Sequence, residues 1–298
     1  MSTVIPLIVN PSARRGRAGR RARRIRELFA ENGVATRLQQ SRGPGDVADL
    51  VESLARDGAP RIIVAGGDGT IHEAVNGLMR SASTVALGLV PAGSGNDFAK
   101  ACGIDPDWQT AASRLAERIA GDVDPTRVDL GRCNDVYFAN GVGIGFDAVV
   151  SHHADGIRLP LGSLVYMIGL LRALAAGVVT PVLSIEADGF SYKGRATLVN
   201  VASGPWVGGQ FRIAPDAKND DGTFDLVLAE PLTRRRIITL VGPLKNGTHL
   251  GEQEIRHAQV TRVVVESEAP IPSHIDGEVQ PPARRFEIEC LPGALRLL

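Results

Sequence analysis

A glycine-rich turn between a buried strand and a helix constrains the fold of this chain more than any other feature. The apolar run at 62–65 leads into Gly66-Gly67-Asp68-Gly69-Thr70, and helical spacing of apolar residues starts at Ile71. Glycines let backbone N–H groups approach an anion, and a helix N-terminus adds its positive dipole end. The turn therefore predicts a phosphate site. Asp68 would repel a bare phosphate, so we expect it to share a cation with the phosphate or to accept hydrogen bonds that fix the loop.

Strands and helices alternate through the first 125 residues. Short apolar and β-branched runs predict strands at 4–9, 34–39, 62–65 and 85–90, with amphipathic helices between them and another helix at 108–120. This alternation is typical of a parallel sheet with helices on both faces. Asp46 is predicted to cap one helix, and the spacing of Thr70 and Glu73 predicts a capping box on the next. The sequence thus predicts an α/β domain over residues 1–125.

Strands dominate after residue 125. Runs of mostly alternating polarity predict antiparallel strands at 136–140, 182–187, 196–202, 224–228, 260–266 and 285–289. Helical spacing interrupts them at 161–176 and 233–241. We expect an antiparallel β-sandwich domain over 126–290, and the apolar end at 291–298 is compatible with a return to the first domain.

Composition limits the partners and the compartment. The formal net charge is zero, which argues against a nucleic-acid partner. Eight arginines between Arg14 and Arg26 fit a solvated helix face, contacts to phosphate or contacts to anionic lipid. Three widely spaced cysteines predict a reducing compartment and no zinc site. The start lacks the pattern of a signal peptide, and the longest apolar run, 161–171, is too short to span a bilayer. We expect a cytoplasmic protein whose lipid contacts are peripheral.

Four loops follow predicted strands of the first domain, at 10–16, 41–45, 66–70 and 93–97. Ligands of open parallel sheets bind beyond the carboxyl ends of the strands, so the four loops together predict a phosphate-bearing ligand. The first glycine turn matches neither the P-loop nor the G-x-G-x-x-G motif, which argues against a dinucleotide oxidoreductase. Asn76 stands where H-E-x-x-H needs its second histidine, so a zinc protease is excluded.

Two motifs then point to a family. The first turn with Asn76-Gly77-Leu78, and the run Pro91-Ala92-Gly93-Ser94-Gly95-Asn96-Asp97-Phe98-Ala99, resemble the diacylglycerol kinase catalytic domain of bacterial lipid kinases, to which sphingoid-base kinases are related. The resemblance continues through Asn10-Pro11, 143–147, 213–217, 220–225 and 275–278. The glycine–aspartate motif alone is shared with NAD kinases and phosphofructokinases. The resemblance implies a first domain like those of these enzymes, with ATP in the cleft between the two domains.

The resemblance also implies roles for particular residues. It implies an ATP site formed by Asn10, Pro11, Ser12, Ala13, Arg14, Ser41, Gly66, Gly67, Asp68, Gly69, Thr70, Glu73, Ser94, Asn96 and Asp97. One of Asp276 and Glu278 would be the general base, and the other would join Asp68 and Asp129 in a magnesium network. Asp221 with the carbonyls of Lys218 and Thr223 resembles a structural magnesium site. Ser41 and Ser94 replace the more common threonine but keep its hydroxyl.

The residues themselves leave alternatives open. Asp276 and Glu278 are spaced i and i+2, which puts both carboxylates on one side of a regular strand, but Asp-Gly is also a frequent pair in solvated hairpin turns. The acidic loop 216–225 lacks the ligand series of an EF-hand and has an ordinary acidic turn as its alternative. The apolar stripe of 164, 168, 171 and 175 fits a core helix or the flank of an acyl-chain groove.

The sequence predicts an ATP- and Mg²⁺-dependent lipid kinase. It would transfer the γ-phosphate to the hydroxyl of a diacylglycerol-like or sphingoid lipid at a membrane surface. The alternatives are a kinase for a soluble substrate such as NAD and a nucleotide-binding regulator without transfer activity. A homodimer is left open.

Overall fold

The computed structural model of the chain describes residues 4–11, 17–155, 157 and 164–298. These residues form two compact units. The first unit runs up to Val128 and includes Gly293–Leu298, and the second is Asp129–Pro292. The expected ATP ligands Ser12, Ala13 and Arg14 lie outside the described residues.

The first unit is a parallel α/β domain, as predicted. Its elements are β1 (Ile5–Val9), α1 (Arg17–Glu31), β2 (Thr36–Gln40), α2 (Asp46–Arg56), β3 (Arg61–Gly66), α3 (Asp68–Ser81), β4 (Ala86–Pro91), α4 (Asp97–Ala101) and α5 (Trp108–Ala120). The strands follow the order β2-β1-β3-β4 and all pair in parallel. At the end of the chain, Arg296 and Leu297 add a further parallel strand beside β4.

Helices pack closely on this sheet. Ile25 and Phe29 of α1 lie in one core with Leu115 of α5 and the apolar side chains of β1. Helices α2 and α3 approach each other at Gly77, where an added Cβ would lie 2.2 Å from the carbonyl oxygen of Ala48. Glycine is therefore required at this position because the backbone of α2 occupies the space.

The predicted helix caps are wrong. Helix α3 begins at Asp68 with Gly67 as its N-cap, so Thr70 lies inside the helix. The carboxylate of Glu73 accepts a hydrogen bond from the Val47 amide, at 3.1 Å, in the first turn of α2. Asp46 does not cap α2, because its carboxylate accepts from the Arg42 amide at 2.8 Å. The sequence spacing therefore indicated that helices follow these turns, but neither the start of α3 nor the partners of these side chains.

The second unit contains the remaining elements. They are β5 (Thr126–Cys133, which begins in the first unit), β6 (Val136–Phe138), β7 (Gly141–Gly145), α6 (Phe146–Asp155), α7 (Leu164–Ala176), β8 (Val182–Ala187), β9 (Phe190–Arg195), β10 (Leu198–Ala202), β11 (Phe224–Ala229), α8 (Arg234–Asn246), a short 3-10 helix (His249–Gly251), β12 (Ile255–Val260), β13 (Arg262–Ile275) and β14 (Glu278–Leu297, which ends in the first unit).

Strand β13 joins two antiparallel sheets into the predicted sandwich. Its first half pairs with β8, and its last residues, Ser273 to Ile275, pair with β7. Register shifts between Glu266 and Ser273 mark the bend between the two halves. One sheet has the order β12-β11-β10-β7-β13, while β9, β8, β14, β5 and β6 extend the other. Alternate residues such as Val199, Val201 and Val265 fill the core.

Three helices cover the outer face of the sheet that contains β10 and β11. Phe146 of α6, Leu170 of α7 and Ile237 of α8 pack together with Ala229 of β11. The sequence did not predict α6 or β7, because glycines at alternate positions of β7 hide its strand pattern. Among the described helices, none combines the length and the apolar character that a membrane span needs.

Candidate active site

Three of the predicted loops hold one another at one edge of the first sheet. The Asn10 side-chain amide donates to the Thr70 hydroxyl at 3.1 Å. The Ser41 amide donates to the carbonyl of Val9 at 3.1 Å, and the Asn10 amide donates to the carbonyl of Ala65 at 3.2 Å. Because β1, β2 and β3 run in parallel, these loops all follow the carboxyl ends of their strands.

The two glycine turns pack backbone against backbone. An added Cβ on Gly67 would lie 2.9 Å from the Cα of Gly93, and one on Gly93 would lie 2.4 Å from the Cα of Gly67. At Gly66 the side chain of Thr70 occupies the space, 2.4 Å from an added Cβ. The glycines are thus required by contact between the loops, in addition to any approach of a phosphate.

Asp68 joins the two turns. Its carboxylate accepts hydrogen bonds from the amides of Asn96 and Asp97, both at 2.7 Å, where α4 begins. Asn96 in turn fixes its own loop, since its side chain accepts from the Gly93 amide and donates to the Gly93 carbonyl. Of the two expectations for Asp68, the one observed is the acceptance of hydrogen bonds that fix the loop. Ser94 is exposed at the tip of this loop.

Asp276 and Gly277 form a two-residue hairpin turn between β13 and β14. Ile275 pairs with Glu278, and the φ angles of Asp276 and Gly277 are 53° and 87°, as in a type I′ turn. Asp276 therefore does not share a regular strand with Glu278, and the hairpin alternative is the correct one. The turn is not simply solvated, however. The Asp276 carboxylate accepts from the amides of Ala139, Asn140 and Gly141 at 2.8–3.0 Å.

Glu278 occupies a different environment from Asp276. Its side chain is exposed at the start of β14, while Asp276 is partly buried. Three N–H donors stabilise the anionic form of Asp276 and fix its direction. The hairpin therefore presents one carboxylate tied to the backbone and one exposed to solvent.

A buried polar network lies directly behind this hairpin, and the sequence did not predict it. His274, only 2% exposed, accepts a hydrogen bond at Nδ1 from the Gly277 amide at 3.2 Å. Its Nε2 lies 3.1 Å from Oδ2 of Asp147, which also accepts from the Asn200 side-chain amide at 3.0 Å. Burial raises the pKa of the Asp147 carboxyl, but the adjacent His274 ring and the hydrogen bond from Asn200 outweigh it, so the pKa lies below its ordinary value.

The acidic loop 216–225 is tied to Asp129. The carboxylate of Asp129 accepts from the Gly222 amide at 2.7 Å, and its own amide donates to the carbonyl of Asn219, also at 2.7 Å. Asp221 accepts from the amide and hydroxyl of Thr223. The pKa of Cys290 is raised to about 12, first by burial and then by the charges of Asp129 and Asp221. Both carboxylates therefore act electrostatically on the same thiol.

This loop fits a hard divalent cation in part. Two carboxylates with nearby backbone carbonyls are the oxygen donors that Mg²⁺ takes, usually together with several waters. Among the described residues, no group of three or more His, Cys, Asp or Glu side chains converges as a metal site would require. The protein ligands would therefore be two carboxylates at most, completed by carbonyls and water.

An apolar cavity lies in the second unit between the sheet and its helices. It is lined by side chains of α6, α7, α8 and strands β10 and β11, including Phe146, Val150, Leu170, Ile237 and Leu240. Asp147 is the one acidic residue among its described lining, and its carboxylate is held by Asn200 and His274. The cavity thus adjoins the polar network behind the hairpin.

Comparison with known proteins identifies the family. The diacylglycerol kinase catalytic domain matches residues 5–128, and the YegS C-terminal NAD kinase beta sandwich-like domain matches residues 140–298. The chain is 30% identical over 274 residues to a diacylglycerol kinase of Bacillus subtilis (strain 168), covering 91% of this chain and 88% of that protein. This chain belongs to the diacylglycerol kinase catalytic-domain family. The family resemblance seen in the sequence is confirmed.

Other members of this lipid kinase family agree over most of the chain. A probable lipid kinase YegS-like of Xanthomonas euvesicatoria pv. vesicatoria (strain 85-10) is 31% identical over 260 residues, covering 85% of this chain and 83% of its own. The crystal structure of a putative diacylglycerol kinase from Bacillus anthracis str. Sterne superposes with a TM-score of 0.79 at 26% identity, over 99% of this chain and 96% of that chain. The two-part fold is therefore that of the family.

Proposed function

We propose that this family member is an ATP-dependent lipid kinase that transfers the γ-phosphate to a hydroxyl of a diacylglycerol-like or sphingoid lipid. The observation that carries the proposal is the apolar cavity in the second unit. A kinase for a soluble, highly charged acceptor such as NAD has no use for a cavity lined almost entirely by apolar side chains. An acyl chain, in contrast, gains free energy when its methylenes leave water for such a site.

The first unit supplies the nucleotide site in this proposal. Helix α3 starts at Asp68, directly after the glycine turn, and the N–H groups at a helix N-terminus favour binding of an anion. Gly67, Gly69 and the exposed Ser94 lie at that edge with Asn10 and Thr70. Backbone amides and small hydroxyl side chains are the groups that hold phosphate oxygens in other kinases and NTPases.

Magnesium would neutralise charge on the transferring phosphates. We assign Asp68 of the first unit to the nucleotide-bound ion and Asp221, with the carbonyls of Lys218 and Thr223, to a structural ion. Asp129 supports the second assignment through its hydrogen bond to the Gly222 amide. Asp276 and Glu278 are assigned to the transfer step, and one of them accepts the proton of the lipid hydroxyl.

Side chains around the cavity support the proposed contact with a membrane surface. Leu164 and Leu171 of α7 and Ile238 of α8 are each more than half exposed. The same two helices supply Leu170, Ile237 and Leu240 to the cavity lining, and α8 begins with Arg234 and Arg235, both exposed. Exposed apolar residues next to arginines suit an anionic lipid surface, where a basic residue contributes about 1 kcal/mol.

The experiment is incubation with ATP labelled at the γ-phosphate, MgCl₂ and mixed micelles that carry one candidate acceptor at a time. The panel contains diacylglycerol, monoacylglycerol, sphingosine and ceramide, with NAD in a parallel tube. We expect label in the lipid phase with at least one lipid and none in NAD. Label in NAD alone would show a soluble-substrate kinase, and label in no acceptor would support a regulator without transfer activity.

A further inference from the structure

The hydrogen-bonding pattern around His274 defines the protonation of its ring. The Gly277 amide can only donate, so Nδ1 of His274 is the unprotonated nitrogen and accepts at 3.2 Å. In the neutral ring the hydrogen then lies on Nε2, which is 3.1 Å from Oδ2 of Asp147. The Nε2–H bond is close to this carboxylate without being well aligned with it. The Nδ1 side of the ring therefore contacts the hairpin turn, and the Nε2 side faces Asp147.

The backbone of β7 lies close to the contact between His274 and Asp147. Gly143 of β7 pairs with both His274 of β13 and Asn200 of β10. An added Cβ on Gly143 would lie 2.2 Å from Nε2 of His274 and 2.4 Å from Oδ2 of Asp147. A side chain at position 143 would displace the contact, so the strand is built around the histidine–aspartate pair.

Asp147 is itself held in place. It lies in the first turn of α6, and its carboxylate receives the Asn200 side-chain amide at 3.0 Å. Asn200 is 2% exposed, at the middle of β10. Asp147 also lines the apolar cavity. A continuous chain of contacts thus leads from the cavity wall through Asp147 and His274 to the amide of Gly277.

Gly277 is the residue between the two carboxylates of the hairpin. A type I′ turn has two adjacent residues with positive φ, and a hydrogen bond to the second of them fixes the peptide plane between Gly277 and Asp276. This plane sets the ψ angle of Asp276 and the φ angle of Gly277, two backbone torsions that link Asp276 to Glu278. We infer that His274 is a positioning residue for the Asp276–Gly277–Glu278 turn, oriented in turn by Asp147.

The part of this inference that concerns turnover rests on the proposed function, whereas its structural part does not. A histidine that merely filled the core would affect stability to a similar degree whatever polar group replaced it. A positioning histidine acts through one nitrogen, because only Nδ1 contacts the turn. Replacements that keep one side of the ring at a time separate these roles.

Three variants of the full-length protein make this test. In His274→Asn the side-chain oxygen occupies about the place of Nδ1 and can accept from Gly277. In His274→Gln the amide nitrogen occupies about the place of Nε2 and can donate towards Asp147, but no acceptor faces Gly277. His274→Leu removes both contacts. Thermal unfolding of each variant reports whether the fold is intact.

We expect His274→Asn to keep kcat for lipid phosphorylation within about threefold, while His274→Gln and His274→Leu lose about 10- to 100-fold, as supporting residues of active sites do. The KM values for ATP and lipid should change less than about twofold, because His274 touches neither substrate in the proposal. Equal kcat in the Asn, Gln and Leu variants would overturn the positioning role.

A second measurement keeps the inference independent of turnover. Nitrogen-15 NMR of the labelled protein should show His274 with its hydrogen on Nε2, and exchange of the Gly277 amide hydrogen should be slow. Exchange should accelerate in His274→Gln and His274→Leu but not in His274→Asn. Should the unmodified protein phosphorylate no lipid, the proposed function fails while this arm still decides the inference. A hydrogen on Nδ1, or a Gly277 exchange rate that is the same in all variants, would contradict it.

Discussion

Two glycine turns, one in each unit, use aspartate in the same way but expose different groups. Asp68 follows a glycine and begins helix α3, and its carboxylate accepts two backbone amides of the neighbouring turn. Asp276 begins a hairpin turn and accepts three amides of the neighbouring segment, with His274 behind it. Only the second turn adds an exposed carboxylate, Glu278, next to the tied one.

The difference separates two carboxylates that hold loops from one that is exposed to solvent. The carboxylates of both aspartates accept hydrogen bonds from backbone amides, so part of the effect of replacing either aspartate will be structural. Glu278, in contrast, has an exposed side chain at the first position of β14. Substitutions that keep the shape of the side chain should therefore affect stability and activity in different proportions at the three positions.

The largest effect is expected from Asp276→Asn. The amide keeps one oxygen, so hydrogen bonds from Ala139, Asn140 and Gly141 are lost or weakened. We expect the free energy of unfolding to fall by about 3 kcal/mol, measured by urea titration, because buried donors lose a charged acceptor. Lipid phosphorylation should fall at least about 1,000-fold if the same carboxylate serves transfer.

Asp188→Asn is the matched control for that variant. Asp188 also accepts two backbone amides with its carboxylate, those of Thr261 and Arg262, in an exposed turn of the same unit. The Asp188→Asn variant should lower the free energy of unfolding less than Asp276→Asn does, and it should leave kcat unchanged. A parallel loss of activity in both variants would mean that activity merely follows stability.

A smaller effect on activity, and almost none on stability, is expected from Glu278→Gln. The side chain is exposed, so its charge contributes little to folding. Loss of a general base or of an ion contact should lower kcat about 100-fold. Glu268→Gln, an exposed carboxylate on β13, serves as the control and should match the unmodified protein. Full activity in Glu278→Gln would remove Glu278 from the transfer step.

Asp68→Asn should have an intermediate effect. Replacement weakens the two hydrogen bonds that join the glycine turns, at a cost of about 1–2 kcal/mol in unfolding free energy. We expect the KM for ATP to rise about 10-fold or more, because the loops that form the nucleotide edge lose their alignment. An unchanged KM for ATP would show that the turn tolerates the loss or binds no nucleotide.

The smallest effect concerns acid stability and Asp147. The pKa of Asp147 in the folded protein is below its ordinary value of 3.8. The unfolded chain therefore binds the proton more readily, and the stability from Asp147 is complete above that ordinary value and declines as the pH falls below it. Asp147→Asn should unfold with a shallower dependence on pH below about 4. Asp135→Asn, an exposed carboxylate, should keep the slope of the unmodified protein.

Much of the fold could be predicted from local patterns. Helix α5 at Trp108–Ala120 and strand β8 at Val182–Ala187 begin and end where apolar spacing indicated. Strand β7 could not be predicted in this way, because three of its five residues are glycines that long-range contacts require. The capping box at Thr70 failed for a related reason, since Asn10 and Val47, distant in sequence, bind the two side chains.

The candidate site was predictable as a set of motifs but not as a network. The motifs singled out Asp68 and Asp276, yet the backbone amides that bind their carboxylates lie 28 to 137 residues away. His274 and Asn200 carry no local signal, because a single polar residue inside an apolar strand has no periodicity to interpret. Their role follows only from the register of β7 with β10 and β13.

The most direct test of the lipid kinase proposal identifies the transferred atoms. ATP that carries oxygen-18 in its γ-phosphate is incubated with the protein, MgCl₂ and the lipid that accepts most label in the panel. Mass spectrometry of the extracted lipid should show a monophosphate ester with the labelled oxygens, absent when Glu278→Gln replaces the unmodified protein. Labelled inorganic phosphate without any labelled lipid ester would contradict the proposal, because the γ-phosphate would then pass to water and not to a lipid hydroxyl.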